Sequence, residues 1–315
     1  MHDQPLVTVI MPAYNCEQYI GDALRSVLSQ SYQNLEIIVI DDGSTDRSAE
    51  IVAGLPDDRI SLIQQSNAGS AAARNRGLAA ATGELLAFID GDDLWHPRKI
   101  ELQTQFLSSQ AEYGLVYNAW RVIDESTAYP SSALFPPISV TAISVVEEES
   151  GWLYETLLTD SCVIHTSATM IRASVAEQIG GFRENLLRGQ DYDYWLRICR
   201  HTKAAKLSAE LSCYRLNTSG VTMSGSSVNY AAIVLNNAIK KYGLLNHEGR
   251  PISRKKVNHR LAQIWRNYAL QQVSLGAPKL AYHALAKAFG FAPISGANFR
   301  ALASIVRQSL GLPSL

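Results

Sequence analysis

The sequence has 315 residues, of which 47% are hydrophobic and 18% charged, an ordinary composition for a globular protein of one large or two modest domains. Its four cysteines form no C-x-x-C pair, which argues against a zinc site or a disulfide framework and fits a reducing cytoplasm. The first residues do not resemble a signal peptide, and no run of about 18 apolar residues predicts a transmembrane helix.

The net charge of −1 hides an asymmetry between two parts of the chain. Residues 226–315 contain 12 Lys and Arg against a single acid, Glu248, whereas the first 225 residues contain 16 basic and 28 acidic residues. Opposite charges favour two regions with different roles, which we predict as domains 1–225 and 226–315.

Strand-like and helix-like segments alternate at the start of the chain. Continuous apolar runs predict buried strands at 7–11, 35–40, 60–63 and 84–89. Helical spacing or alanine richness predicts helices at 17–31, 46–53 and 70–82. Apolar strands separated by helices are typical of a parallel sheet with helices on both faces.

The pattern changes further along the chain. Residues 121–150 are rich in Pro, Ser and Glu, which predicts a surface loop. Helix 151–158, strand 167–172 and helix 189–200 follow. From residue 226 onward helical patterns dominate, with breaks near 243–251, 276–278 and 290–296.

Polar clusters follow three of the predicted strands, at 12–15, 41–42 and 90–93. Because ligands of parallel α/β sheets bind beyond the carboxyl ends of the strands, we expect these clusters to share one cleft. A lone Asp-Gly-Asp is more often a solvated turn. Three carboxylates within residues 90–93, however, repel one another unless a cation relieves them, and Mg²⁺ or Mn²⁺ prefers such oxygen ligands.

Six motifs occur along the chain in the order TVIMPAYN, IIVIDDGSTD, NAGSAAARNRG, FIDGDD, GGFRE and GQDYDYWLR. Together they resemble the signature of family 2 inverting glycosyltransferases with the GT-A fold, of the bacterial cell-surface polysaccharide type, over about residues 5–220. The resemblance implies an α/β fold with a Rossmann-like, mainly parallel sheet, followed by a C-terminal helical region. It also implies transfer of a sugar from a nucleotide diphosphate sugar, most commonly a UDP-sugar, to a hydroxyl of a lipid-linked or growing surface glycan.

The resemblance places a group of residues at the nucleotide. Physically, the Tyr14 ring could hold a base, Asp42 could accept hydrogen bonds from base or ribose, and Arg74 suits phosphates. An ordinary strand-to-helix loop, turn chemistry and a surface ion pair are the respective alternatives. The nucleotide-binding residues are predicted to be Pro12, Ala13, Tyr14, Asn15, Asp41, Asp42, Asn67, Gly69, Arg74, Asp90 and Gly91.

The resemblance also assigns the metal and the catalytic base. Asp92, with Asp93 beside it, matches the D-x-D motif that holds Mn²⁺ or Mg²⁺ in the family. Asp191 matches the base that deprotonates the acceptor hydroxyl, although Gln190 stands where Glu is common, and a helix cap is the alternative. Relatives often have Tyr-Arg-x-His, where this chain has Asn217 in place of the His.

Two other functions compete with this interpretation. A sugar-phosphate nucleotidyltransferase would need a Gly-rich N-terminal loop, which is missing, and a non-catalytic nucleotide-sugar-binding protein is disfavoured by the retained Asp92 and Asp191. The basic region 226–315 fits poorly with nucleic acid and better with an anionic membrane surface. We therefore expect a cytoplasmic protein in peripheral contact with the inner face of the plasma membrane.

Overall fold

The computed structural model describes residues 4–127, 129, 134–138, 144–217 and 225–309, which form two compact units. The sheet unit comprises the described residues up to Leu153 together with Cys162–Asn217. The helical unit comprises Tyr154–Ser161 together with residues 225–309. The sequence placed a single division at residue 225, whereas the structure also groups residues 154–161 with the helices.

The described residues of the sheet unit form one mixed, eight-stranded sheet of order β3-β2-β1-β4-β7-β6-β8-β5. The strands are β1 (Val7–Ala13), β2 (Leu35–Asp41), β3 (Ile60–Gln64), β4 (Leu85–Phe88), β5 (Leu94–Trp95), β6 (Tyr113–Ile123), β7 (Thr169–Arg172) and β8 (Lys203–Arg215). Strands β1 to β4 are mutually parallel, as are β6 and β8, whereas β7 runs antiparallel to β4 and β6, and β5 antiparallel to β8. The predicted α/β fold with a mainly parallel sheet is confirmed.

Helices lie between the strands and fill the helical unit. They are α1 (Ile20–Leu28), α2 (Ser48–Ala53), α3 (Ser70–Ala80), α4 (Lys99–Ser109), α5 (Tyr154–Thr159), α6 (Ala173–Ile179), α7 (Gln190–Cys199), α8 (Tyr230–Tyr242), α9 (Arg254–Ser274), α10 (Pro278–Phe291) and α11 (Gly296–Ser309). The sequence patterns did not predict α4, α6, β5, β6 or β8. Strand β6 also extends into the region expected to be a loop, of which residues 128, 130–133 and 139–143 lie outside the described part.

The alternation of side chains along β1 explains how helices cover both faces of the sheet. Val9 and Met11 lie in one apolar cluster with Leu24 of α1. Ile10 points to the other face, where a Cβ on Gly77 of α3 would come within 2.5 Å of it. The small residues of α3 therefore let this helix lie directly on β1, which brings its first turn to the carboxyl ends of the strands.

The helical unit has its own apolar core, built from small and branched residues of α9, α10 and α11. Side-chain caps define the helix starts, since Asn229 accepts the N–H of Ala232 and Ser253 accepts the N–H of Lys256. Gly243, at φ 67°, ends α8. Within the described part of the chain, no helix is both long enough and apolar enough to cross a bilayer.

Candidate active site

Side-chain hydrogen bonds tie together the loops that follow β1 and β2. Asn15, in the left-handed conformation at φ 47°, accepts the N–H of Thr45 at 2.8 Å and donates its own N–H to the Ser44 hydroxyl at 3.0 Å. Cys16 donates its N–H to the Ser48 hydroxyl at 2.9 Å. These contacts hold the two loops as one surface at the carboxyl edge of the sheet.

The predicted nucleotide-binding segment 12–15 is split between strand and loop. Pro12 and Ala13 lie within β1, which is two residues longer than predicted, and they pair with Ile40 and Asp41. Tyr14 follows with 51% of its surface exposed, so its ring is available to a ligand.

Asp42 joins the loop after β2 to the start of α3. Its carboxylate is buried and accepts the N–H groups of Ala68 at 2.9 Å and Gly69 at 2.8 Å. Gly69 has φ 89°, a conformation that suits glycine, and it directly precedes the helix. Asp42 thus fixes the backbone of the two residues that lead into α3, a role that the sequence analysis did not assign, while Asn67 is exposed nearby.

Residues 90–93, which follow β4, form a tight loop that we call the carboxylate turn. The Asp90 carboxylate accepts a hydrogen bond from Arg74 Nη2 at 2.5 Å. The backbone N–H of Asp90 donates to the Ser167 hydroxyl at 3.0 Å. A Cβ on Gly91 would lie 3.0 Å from the Cys16 sulfur, so a larger residue would separate this turn from the loop after β1.

Asp93 is completely buried, and its two carboxylate oxygens already have partners. The Ser167 hydroxyl donates to Oδ2, and the N–H of Arg215 donates to Oδ1 at 2.9 Å. Burial, with Asp92 and Asp90 close by, raises the pKa of Asp93 well above its usual value. Asp93 therefore anchors the turn and is not exposed to a metal.

Asp92 is partly exposed on the same turn. Burial, and secondly the negative charge of Asp90, raise the pKa of Asp92 to about 6. Arg215 and a hydrogen bond from the Asn217 side chain oppose this shift. The residue that replaces the family's His at position 217 therefore contacts the predicted metal ligand directly.

Arg215 holds the carboxylate turn in place, a role that sequence reasoning missed. Its side chain is 1% exposed, and Nε donates to the Asp92 carbonyl at 2.9 Å. Its Nη1 donates to the carbonyls of Asp124, Glu125 and Thr127 at 3.0, 3.2 and 2.8 Å. The one available signal was a charged residue inside the otherwise apolar end of β8.

Arg74 presents unused donors beside the carboxylate turn. The side chain is buried, with its guanidinium carbon 5.6 Å from the centroid of the Phe182 ring. One nitrogen pairs with Asp90, whereas Nε and Nη1 have no hydrogen-bond partner among the described residues. Because buried donors are normally satisfied, these two N–H groups point to an absent acceptor such as a phosphate or sugar oxygen.

Asp191 is the second residue of α7, whose first turn lies against the first turn of α3. The contact is made by Gln190, which donates its Nε2 to the Ser70 hydroxyl at 2.7 Å. Burial lowers the pKa of His165, while the carboxylates of both Asp90 and Asp191 oppose that shift. Both carboxylates therefore lie near one imidazole, so the tertiary structure brings Asp191 to the edge that carries the carboxylate turn.

Trp195 and Arg197, further along the GQDYDYWLR segment, have structural roles. Trp195 is fully buried and meets the Phe88 ring edge-on. Arg197 pairs with Asp193 at 2.7 Å and donates to the carbonyl of Gly181. The hydrogen bond to Gly181 connects α7 to the segment after α6.

The Gly180-Gly181-Phe182 segment, at the start of the GGFRE motif, packs against α3. Gly180, at φ 78°, ends α6. The Asn75 side chain donates to the Phe182 carbonyl and accepts the Phe182 N–H. A Cβ on Gly181 would lie 2.3 Å from the Oδ1 of Asn75. Contact with Asn75 therefore explains Gly181, and the end of α6 explains Gly180.

Among the described residues, no group of three or more His, Cys, Asp and Glu side chains is arranged to hold a metal ion. A catalytic Mg²⁺ or Mn²⁺ does not need such a cage, because it commonly binds one or two carboxylates together with substrate phosphates. The chemistry of the turn fits this mode, since the charge of Asp90 raises the pKa of Asp92 and a cation would relieve that repulsion.

Comparisons with known proteins agree with this geometry. Residues 8–180 match the family described as glycosyl transferase family 2. The chain is 36% identical over 204 residues to the putative glycosyltransferase EpsE of Bacillus subtilis, covering 63% of this chain and 68% of EpsE. It is 29% identical over 223 residues to the Escherichia coli UDP-Glc:alpha-D-GlcNAc-diphosphoundecaprenol beta-1,3-glucosyltransferase WfgD, covering 70% of this chain and 81% of WfgD.

Other relatives are much longer than the matched region. An uncharacterized glycosyltransferase of Rickettsia felis is 35% identical over 203 residues, which are 62% of this chain and only 32% of that protein. The chain therefore spans about a third of that relative.

Two solved structures share the fold. S. aureus TarS 1–349 in complex with UDP has a TM-score of 0.61 at 18% identity, covering 96% of this chain and 92% of TarS. The mannosyltransferase PcManGT from Pyrobaculum calidifontis, in complex with GDP-Man and Mn²⁺, has a TM-score of 0.59 at 21% identity, covering 98% of this chain and 81% of PcManGT.

The matched residues include the carboxylate turn, and the matching relatives and structures are themselves glycosyltransferases. The two alternative functions drawn from the sequence give way to this assignment. The chain belongs to glycosyl transferase family 2 and is a transferase with the GT-A fold.

Proposed function

We propose that this glycosyltransferase moves a sugar, with inversion, from a nucleoside diphosphate sugar to a hydroxyl of a lipid-linked or growing surface glycan. A UDP-sugar is the first candidate donor. The observation that carries the proposal is the position of Asp92 and Asp191 on one edge of the sheet, with the unused donors of Arg74 beside them. The UDP bound to TarS and the lipid-linked acceptor named for WfgD support the choice of substrates.

Asp92 is the protein ligand of Mn²⁺ or Mg²⁺, and the buried Asp93 anchors the turn that carries Asp92. When bound, the ion supplies Lewis-acid stabilisation of the leaving diphosphate. Arg74 donates its free N–H groups to oxygens of the donor, and Asn217 orients the Asp92 carboxylate. Tyr14 and the loops tied together by Asn15 and Asp42 receive the nucleoside.

Asp191 acts as the general base. It accepts the proton of the acceptor hydroxyl, whose oxygen forms a bond to the anomeric carbon while the bond from that carbon to the diphosphate breaks. Attack from the face opposite the leaving group inverts the anomeric configuration.

Thermal denaturation tests the donor and the metal together. We expect UDP with Mn²⁺ to raise the melting temperature of the wild type more than GDP or dTDP, and EDTA to remove the effect. Asp92→Asn should lose the Mn²⁺-dependent shift and most transfer while remaining folded, because Asp92 lies on a partly exposed turn. The exposed Asp58→Asn is the matched control. An unchanged UDP and Mn²⁺ shift in Asp92→Asn would refute the metal assignment.

Asp191→Asn tests the base. The variant should lose transfer and keep the shift with UDP and Mn²⁺, because the base contacts the acceptor and not the nucleotide. If donor affinity and transfer fall together, Asp191 has been assigned wrongly. NMR of the product reports the anomeric configuration, and a product with the configuration of the donor would contradict inversion.

We also propose that the helical unit docks on an anionic membrane surface at the cytoplasmic face. Helix α9 begins with Arg254, Lys255 and Lys256 and has no acid in its first turn, so three cations lie at the positive end of the helix dipole, where they are unfavourable. They line a cavity of about 1080 Å³ together with the apolar segment 291–294, in which Ile294 is 95% exposed. Cations beside an exposed apolar tip suit lipid phosphates and the acyl boundary.

Vesicle sedimentation tests the docking. Replacing Arg254, Lys255 and Lys256 by Glu should abolish salt-sensitive binding to phosphatidylglycerol vesicles, and it should not unfold α9, because acids are favourable at a helix start. The same reversal at Lys240 and Lys241, in the last turn of α8, is the control and should reduce binding less. Equal binding of the wild type to phosphatidylcholine vesicles would contradict the proposal.

A further inference from the structure

Three aromatic rings form a cluster that the reaction described above does not use. Trp120 of β6 and His165 have ring centroids 5.0 Å apart at 33°, and Tyr214 of β8 lies 5.0 Å from His165 and 6.0 Å from Trp120. Unlike Trp95 and Trp195, which are fully buried, Trp120 is 39% exposed. The cluster therefore presents an aromatic surface to solvent.

The cluster lies beside the proposed reaction centre. Tyr214 directly precedes Arg215, which holds the carboxylate turn. His165 lies two residues before Ser167, whose hydroxyl contacts both Asp90 and Asp93. The carboxylates of Asp90 and Asp191 both act on the His165 imidazole, so the cluster lies near the turn and near the proposed base.

The backbone under Trp120 is irregular. The pairing of β6 with β8 shifts register between Asn118 and Ala119 and again between Ala119 and Trp120. Bulges of this kind change the direction of a side chain and are frequent next to active sites. Val122, the next residue on the same side of a regular strand, is also exposed, at 49%.

His165 has an unsatisfied polar atom. Its Nδ1 is buried and has no hydrogen-bond partner among the described residues. A buried ring nitrogen without a partner is costly, so packing alone does not account for this residue. A ligand hydroxyl beside the ring would satisfy it.

We propose that Trp120, His165 and Tyr214 form the acceptor subsite, in which the indole face stacks on a pyranose ring and His165 Nδ1 bonds to one of its hydroxyls. An aromatic face suits the apolar face of a sugar ring, and the adjacent Asp191 then meets the hydroxyl to be glycosylated. The inference rests on the proposed role of Asp191 as base. It assigns recognition of the acceptor sugar to β6 and β8 and separates it from donor binding at the other loops.

Binding to an immobilised array of mono- to tetrasaccharides, in saturating UDP and Mn²⁺, tests the subsite. We expect the wild type to retain a subset of pyranosides, Trp120→Ala to bind them roughly tenfold more weakly, and Trp120→Phe to recover most of the loss. Val122→Ala, on the same strand, is the control and should resemble the wild type. His165→Ala should reduce or remove the difference in affinity between sugars that differ in one hydroxyl.

The UDP-induced thermal shift, measured on every variant, separates the two levels of the proposal. An unchanged shift in Trp120→Ala shows that the variant is folded and that the donor site is intact. If UDP causes no thermal shift in the wild type, the proposed donor is wrong, and the glycan array alone then tests the subsite. A normal shift combined with equal glycan binding by wild type and Trp120→Ala, or with no glycan bound by the wild type, overturns the aromatic subsite.

Discussion

Replacing Arg215 with Met should destabilise the sheet unit strongly, because this side chain joins the carboxylate turn to residues 124–127. The guanidinium donates to four carbonyls and lies 4.9 Å from the centroid of the Tyr19 ring. Asp124 and Glu125 are exposed, so water can replace the lost donor there. Asp92 and Thr127 are only partly exposed, so water replaces the lost donor less well there.

Each of these two hydrogen bonds to a charged donor contributes about 1.5–3 kcal/mol, so the free energy of unfolding should fall by roughly 3–6 kcal/mol. For a unit of this size, about 1 kcal/mol corresponds to a change of roughly 2–4 °C, so the melting temperature should fall by on the order of 10 °C. Arg215→Lys should lose less, because the ammonium can still reach one or two of the carbonyls. Circular dichroism of thermal unfolding measures all three proteins.

Arg121→Met is the matched control, since Arg121 lies on the neighbouring strand, is partly exposed and makes weaker contacts, a 3.9 Å ion pair with Glu210 and a contact 5.9 Å from the centroid of the Phe135 ring. Partly exposed pairs contribute about 0–1 kcal/mol, so this variant should melt within a few degrees of the wild type. Arg215→Met should also lose the thermal shift with UDP and Mn²⁺, because Asp92 is no longer positioned. If Arg215→Met and Arg121→Met have the same melting temperature, Arg215 does not hold the turn.

Three further changes test the packing that positions the site. Gly77→Ala should cost about 1–3 kcal/mol, because its Cβ would overlap Ile10, whereas Gly290→Ala, with open space around it, should be neutral or stabilising; urea unfolding distinguishes them. Asp42→Asn should lower the free energy of unfolding by about 1–3 kcal/mol relative to Asp58→Asn, measured by thermal unfolding, because the Asn amide nitrogen replaces one of the two oxygens that accept the N–H groups of Ala68 and Gly69. Burial lowers the pKa of Lys99 well below its usual value, so the unfolded chain binds the proton more tightly than the folded protein. Stability should therefore rise with pH, by up to about 1.4 kcal/mol per pH unit, between the lowered pKa of the folded state and the ordinary pKa of lysine. Lys99→Met should flatten this slope, and an equal slope in both proteins would contradict the reasoning.

Much of the parallel half of the sheet could be predicted from local sequence. Continuous apolar runs mark β1 to β4, and the helices between them follow from spacing, because burial on both faces leaves few polar positions. Strand β5, with two residues, is too short to leave a pattern, and β6 and β8 were missed although they are long. Polar residues such as Asn118 and Ser212 are buried in those strands through a shared hydrogen bond, which interrupts the apolar signal.

The order of motifs along the chain was enough to predict the family, the α/β fold and the candidates Asp92 and Asp191. Local sequence also indicated that the polar clusters share one edge, because parallel strands end on the same side. The family and the two candidates came from the resemblance of the ordered motifs to a known signature, and the shared edge came from the direction of the strands.

The tertiary structure decided which of the clustered groups are available to a ligand. Asp92 and Asp93 are neighbours of identical chemistry, yet one is partly exposed and the other is sealed by Ser167 and Arg215, the latter 122 residues away. The same holds for the free donors of Arg74 and for the cluster of Trp120, His165 and Tyr214, whose members come from three separate segments. The exposure of these side chains and the saturation of their hydrogen bonds depend on contacts between residues far apart in the chain. Such contacts cannot be inferred from the spacing of residues along the sequence.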